Sequence, residues 1–225
     1  MSGMFDSILF RIFNFLPGIL IGLTVHEYCH AFAAFKLGDN TARDMGRLTF
    51  NPIKHIDPIG FLFLIFAGFG WAKPVQFYPG NLRNPRRDKA IIAAAGPLSN
   101  LVLVLIFTGI IRIWFLFMIR SYYNGNEELF SFLQSPVIDT FINLTFYATM
   151  INLGLFVFNL LPIPPLDGSH IVFSSLNLSP ETEYRIMRIG APLLIIIIVA
   201  QNILDITILP ILPFIEWMLG ILMPF

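Results

Sequence analysis

The sequence His26-Glu27-Tyr28-Cys29-His30 places two imidazoles four residues apart, with a carboxylate beside the first. On a helix, positions i and i+4 share a face, so His26 and His30 can hold one metal ion together. Imidazole nitrogen suits Zn²⁺. Glu27 is then placed to take a proton from a water whose pKa the metal lowers to about 7. Half of the chain's 4 histidines fall in this pentapeptide, inside an apolar run. Ionisable groups in such a run are costly and point to function by default. The alternative is that the two histidines and the glutamate only satisfy one another in a helix bundle.

A catalytic zinc site needs a third protein ligand and an open position. Asp139, Asp167, His170, Asp205 and Glu216 are the candidates in or beside other apolar runs, with His55 in a polar stretch. Asp167 fits best. It follows Asn159-Leu160-Leu161-Pro162-Ile163-Pro164-Pro165-Leu166, and three prolines in four residues cannot continue a helix. Irregular backbone at membrane depth is tolerated where it is buried in protein or lines a wet cavity. The competing role for Asp167 is a helix cap or turn, with Gly168 supplying the bend.

The elements that must position these groups are membrane segments. The 225 residues are 56% hydrophobic and 12% charged, with 24 phenylalanines and a mean hydropathy of +0.75. A soluble domain carries about twice that charge. The composition therefore excludes a soluble enzyme and a disordered chain. Zero net charge without a basic stripe excludes a nucleic-acid binder. Cys29, the lone cysteine, rules out an internal disulfide. The first apolar run has no basic flank or small-residue cleavage site, so it is expected to stay as a span.

A helix needs about 20 apolar residues to cross a bilayer. Four runs qualify: 8–37, with a kink or break at Pro17-Gly18, then 90–119, 137–161 and 186–209. The shorter run 59–71 holds glycines at 60, 68 and 70. It reads as a bent, irregular re-entrant loop. The run 210–225 is interrupted by Pro210 and Pro213 and reads as a short fifth span or an interfacial helix. The expected fold is an all-α polytopic membrane protein of four to six membrane segments. It forms a single domain over 1–225, with a catalytic core at about 8–178 and C-terminal segments at about 186–225.

Basic residues orient the chain. Lys36, Arg43, Arg47 and Lys54 fall in one connection, and Lys73, Arg83, Arg86, Arg87 and Lys89 in the next. The connection 121–136 has Glu127 and Glu128 and no basic residue. The first two connections are expected on the cytoplasmic side, with the catalytic end of the first span.

H-E-x-x-H in one span, joined to N-x-x-P-x-x-P-L-D-G after a later one, resembles the site-2 protease family of intramembrane zinc metalloproteases. The segments GRLTFNPIKHIDPIG (46–60), WAKPV (71–75) and NLRNPRRDKAIIAAAGPLSN (81–100) resemble a compact bacterial and archaeal subgroup without PDZ or CBS domains. The resemblance implies one catalytic Zn²⁺ on His26, His30 and Asp167, with Glu27 as catalytic base. It implies that Asn159 binds or polarises the substrate. Gly96 and Asn100 match a family G-x-x-x-N pattern, suiting helix packing or substrate contact. His170 is a candidate to support the site from behind the ligands, and His55 a candidate for a loop hydrogen bond. The expected partners are a transmembrane protein substrate and membrane lipid, in a bacterial or archaeal cell membrane. A metal transporter and an inactive protease-like scaffold remain as alternatives. Few acidic residues in the other spans count against the first, and the complete set of motif residues counts against the second.

Overall fold

The computed structural model describes residues 9–10, 12–67, 70–176, 178–204, 209 and 211–223. Asp205, Gly68, Ile8, Pro210 and Phe225, all used in the expectations above, lie outside them.

Besides two 3-10 turns, Pro52–Lys54 and Pro79–Asn81, nine α-helices follow one another from residue 16 onward among the described residues. They are α1 (Leu16–Lys36), the single turn α2 (Thr41–Asp44), α3 (Pro58–Ala67), α4 (Pro85–Tyr123), α5 (Glu127–Leu133), α6 (Pro136–Asn159), α7 (Asp167–Ser175), α8 (Pro180–Leu204) and α9 (Ile211–Leu222). Five of them begin on a proline in their first two positions: Pro17, Pro58, Pro85, Pro136 and Pro180. Proline has its φ pre-set for a helix and lacks an N–H that would find no partner there. Residues 9–10 and 12–14 are also helical and Phe15 is a turn, so the chain breaks just before Pro17, which starts α1, one of the two outcomes expected there.

Among the described residues, three helices, α1, α4 and α6, are long and apolar enough to cross a membrane. With 39 residues, α4 runs about 58 Å and outreaches a hydrocarbon core of about 30 Å. The apolar run expected as the fourth span lies in α8, which starts earlier, at Pro180. At 12 residues α9 is about 18 Å long, too short to cross. It packs on the bundle instead. Ile215 and Leu219 of α9 join Val104 and Ile111 of α4 and Leu153 of α6 in the main apolar core.

Small residues let α1 approach α6. A Cβ on Gly18 would lie 2.7 Å from Ala148 Cα, and one on Gly22 would lie 2.8 Å from Asn152 Oδ1. Both pairs are four residues apart on their own helices, so a stripe meets a stripe.

The segment 59–71 differs from the irregular loop expected. Pro58–Ala67 is a regular helix, because Asp57 Oδ1 accepts from the N–H groups of Ile59 (3.0 Å) and Gly60 (2.8 Å) and caps it. The chain then comes back beside its own start. Ile56 and Ala72 form an isolated antiparallel bridge, and Lys73 N–H donates to His55 O at 2.8 Å. Beyond it, residues 73–78 run without regular structure toward the catalytic motif. We call residues 71–78 the return segment.

Candidate active site

His26, Glu27 and His30 are all buried on α1. His26 Nε2 and His30 Nε2 lie 3.0 Å apart. Asp167 Oδ2 lies 3.1 Å from the first and 3.3 Å from the second. Asp167 is the first residue of α7 and makes no cap there. Gly168 makes this placement possible. A Cβ on it would sit 2.2 Å from Leu160 O, so only glycine lets α7 start against the end of α6.

The hydrogen bonds behind the imidazoles fix which nitrogen carries the proton. His30 Nδ1 faces Ile92 O at 2.7 Å, and a carbonyl can only accept. His26 Nδ1 faces Asn100 Oδ1 at 2.7 Å. The Asn100 amide N–H₂ is spent on Gly22 O (3.2 Å) and Asn152 Oδ1 (2.9 Å), so its oxygen is the acceptor. Both histidines thus donate from Nδ1, and in the neutral ring each Nε2 is a bare lone pair. Two lone pairs and a carboxylate oxygen meet at about 3 Å with no proton between them. Asp167 Oδ2 is buried and has no hydrogen-bond donor.

A cation resolves this. Tetrahedral zinc with bonds of about 2.0–2.1 Å separates its ligands by about 3.3–3.5 Å. The observed triangle agrees to within a few tenths of an ångström. Gly96 leaves the room. A Cβ there would come within 2.3 Å of His30 Nε2 and 2.7 Å of His26 Cε1. Among the described residues, His26, His30 and Asp167 are the one group of three able to hold a metal together.

Glu27 is held from another direction. Its Oε2 accepts from the N–H of Val75 in the return segment at 3.0 Å. Arg47 Nη2 stands 3.9 Å from the same oxygen and also donates to Lys73 O. Arg47 is 4% exposed, so one of the basic residues expected to mark the cytoplasmic surface is instead buried beside the catalytic motif. Asp39, fully buried just after α1, accepts from Tyr78 N–H (2.8 Å), Asn81 Nδ2 (2.8 Å), and the N–H and hydroxyl of Thr41. Burial would raise this carboxyl, but the hydrogen bonds from Asn81, Thr41 and Tyr78 win and hold it low.

The other expected residues fall as follows. Asn159 lines one cavity of about 490 Å³ with His26, Glu27, His30, Asp167 and His170. Its amide donates to Leu155 O of its own helix at 3.0 Å. Asn100 is fully buried behind His26, where its Oδ1 accepts from His26 Nδ1, and it is not among the residues that line this cavity. His170 stands 3.8 Å from Glu183 Oε1, which pairs with Lys89. Burial, then the Lys89 charge, pushes its imidazole below the ordinary value. His55 Nε2 lies 2.8 Å from Thr49 O, away from the triangle. Asp139 and Glu216 are exposed and outside the metal group. Sequence reasoning missed Asn152, Arg47 and Asp39. A polar Asn152 inside an apolar span was a visible signal, while Arg47 was read only as a topology charge.

Comparison with known proteins agrees with this geometry. The profile of peptidase family M50 matches residues 14–197. The Bacillus subtilis protein YwhC, provisionally named a zinc metalloprotease, is 42% identical over 171 residues, covering 74% of this chain and 73% of its own length. Rip2 of Mycolicibacterium smegmatis, named in the same provisional terms, is 32% identical over 173 residues, 75% of this chain and 58% of its own length. No solved structure matches at a significant level.

Proposed function

The chain belongs to peptidase family M50, the site-2 proteases, and is a zinc metalloprotease of that type; from this premise we propose that it cuts peptide bonds in or near transmembrane segments of other membrane proteins, as a step of regulated intramembrane proteolysis. The observation that carries the reading is the ligand triangle, with Glu27 next to it in the same cavity. His26 Nε2, His30 Nε2 and Asp167 Oδ2 would hold a zinc ion, which would supply Lewis acidity to a water and a peptide carbonyl.

The protein's own groups do the rest. The Glu27 carboxylate takes a proton from the attacking water as its oxygen bonds to the peptide carbonyl carbon. The same carboxyl then delivers that proton to the leaving nitrogen as the C–N bond breaks. Asn159, at the end of α6, can turn its amide from Leu155 O toward the developing oxyanion. A helical substrate hides its carbonyls in its own hydrogen bonds, so it must unwind before attack. The basic connections around Lys54 and Arg86 support a cell-membrane orientation with the site toward the cytoplasm. In that orientation 58–71 dips into the bilayer and returns.

Glu27→Gln tests the reading. It keeps the shape and the ligands and removes the base. The expected result is full zinc content with cleavage of a single-span substrate lost. Normal cleavage by the variant would refute the mechanism. Zinc flux across vesicles, with no cleavage by the unaltered protein, would favour the transporter.

A further inference from the structure

A second cavity of about 410 Å³ lies against the zinc cavity. The two share Leu23, Trp71, Leu155 and Phe158 as walls. Phe61 of α3 and Ile215 of α9 also line the second, and all of these walls are apolar. A third apolar cavity of about 280 Å³ continues it along α1, sharing Phe15, Ile19, Leu64 and Ile151. Polar groups thus converge at one end of a continuous space whose remainder is apolar.

We propose that the cavity beside Gly154 is the subsite that receives a large apolar side chain next to the bond being cut, and so sets which bond is cut. The inference rests on the protease reading. Leu23 is three residues before His26 on α1, about 4.5 Å along the axis. An unwound substrate rises about 3.3 Å per residue. The residue next to the scissile bond therefore reaches the near end of this cavity. A volume of about 410 Å³ has ample room for a side chain as large as Leu or Phe. Continuity with the cutting site favours a substrate side chain as occupant over a lipid chain, which has no reason to end at a zinc site. Gly154 is the floor of the subsite. A Cβ there would meet only Ile215 Cδ1, at 3.6 Å, an ordinary contact. A side chain at 154 thus fits the fold and takes up space meant for the substrate.

The experiment uses the purified zinc-loaded protein in phosphatidylethanolamine–phosphatidylglycerol vesicles. The probes are single-span peptides that differ only at the residue beside the cleaved bond: Ala, Val, Leu or Phe. The unaltered protein should cut the Leu and Phe peptides faster than the Ala peptide by about tenfold or more, the scale of methylene discrimination in an apolar pocket. Gly154→Leu should abolish or invert that ratio while still cutting the Ala peptide, and Gly154→Ala should lower it. Gly109→Leu is the control, because a Cβ at Gly109 meets nothing within 4 Å. It should leave the ratio unchanged. Zinc content and Ala-peptide cleavage report whether each variant is folded. A Leu/Ala ratio unchanged in Gly154→Ala and in folded Gly154→Leu would overturn the proposal and leave the cavity as lipid packing space. Absence of cleavage by the unaltered protein on every peptide would instead sink the protease reading, and this inference with it.

Discussion

The metal ligands and the catalytic base sit side by side but are held by different kinds of structure. His26 and His30 are fixed by helix packing. Their outward nitrogens bond to α4, through Asn100 and Ile92 O, and Asn100 is locked in turn by Asn152 of α6. Glu27, one residue from His26, takes its contact from the irregular return segment at Val75 N–H, with Arg47 alongside. Ligand geometry must stay fixed to keep a metal, and three helices supply that rigidity. The base must meet a substrate that arrives, unwinds and leaves. The return segment is held by the side chains of Glu27, Arg47 and Asp39 and by backbone contacts of Ala72 and Lys73 with Ile56 and His55, not by the bonds that fix the ligand rings, so it can shift without disturbing the zinc. If this division is real, substitutions on the two sides should separate metal binding from turnover.

The largest effect should come from the smallest change on the helical side. Gly96→Ala puts a methyl 2.3 Å from His30 Nε2, where the neighbour is a ring fixed at both ends. Zinc affinity should fall by about 100-fold or more, beyond the 10–100-fold typical of losing an outer-shell bond. Cleavage should vanish with it. Gly109→Ala on the same helix, with nothing nearby, should be silent. Metal content measured after dialysis against competing chelator decides this. A Gly96→Ala protein that keeps zinc and loses only turnover would break the comparison at its first step.

Much of the helical side was legible from residue types and order. H-E-x-x-H declared two ligands, and the prolines after Asn159 declared that a chain break would carry Asp167. Helical periodicity is local, so it can be read from a short window. The loop side was not legible, because its contacts join residues far apart in the chain without periodicity. Nothing in GRLTF says that Arg47 turns inward, and its sign alone made it look like a topology marker. Asp39 follows Gly38 and reads as an ordinary helix-end turn. Its partners at Tyr78 and Asn81 are about 40 residues away. The helix at Pro58–Ala67 is hidden in the sequence by the glycines at 60, 68 and 70, although Asp57-Pro58 is a helix-start pair.

Arg47→Gln comes next in size and acts on the other side. It removes the guanidinium from Glu27 and the donor from Lys73 O. Zinc content should be unchanged. The catalytic rate should fall about 10–100-fold, because a catalytic group misplaced by about 1 Å costs that much. Arg47→Lys keeps the charge but loses the planar fork, so rescue should be partial. The split to measure is kcat against KM with zinc content in parallel. Loss of zinc in Arg47→Gln would mean that the two sides are one unit.

The smallest effect should be at Asp39, which ties down the far end of the return segment. Asp39→Ala leaves Tyr78 N–H and the Asn81 amide without their acceptor, a cost of about 1–3 kcal/mol of local stability. Hydrogen exchange at residues 73–82 should speed up, with zinc retained and turnover changed only a few-fold. The native carboxyl adds a pH signature. Its folded pKa lies below the ordinary 3.8, so the unfolded segment binds the proton more readily. Its contribution is therefore complete above pH 3.8 and is lost as pH falls through the depressed folded value. Protection of 73–82 should decline over that range in the unaltered protein, and the difference from Asp39→Ala should close there. A difference that persists at the lowest pH would show that Asp39 holds the return segment by packing and not by its charge.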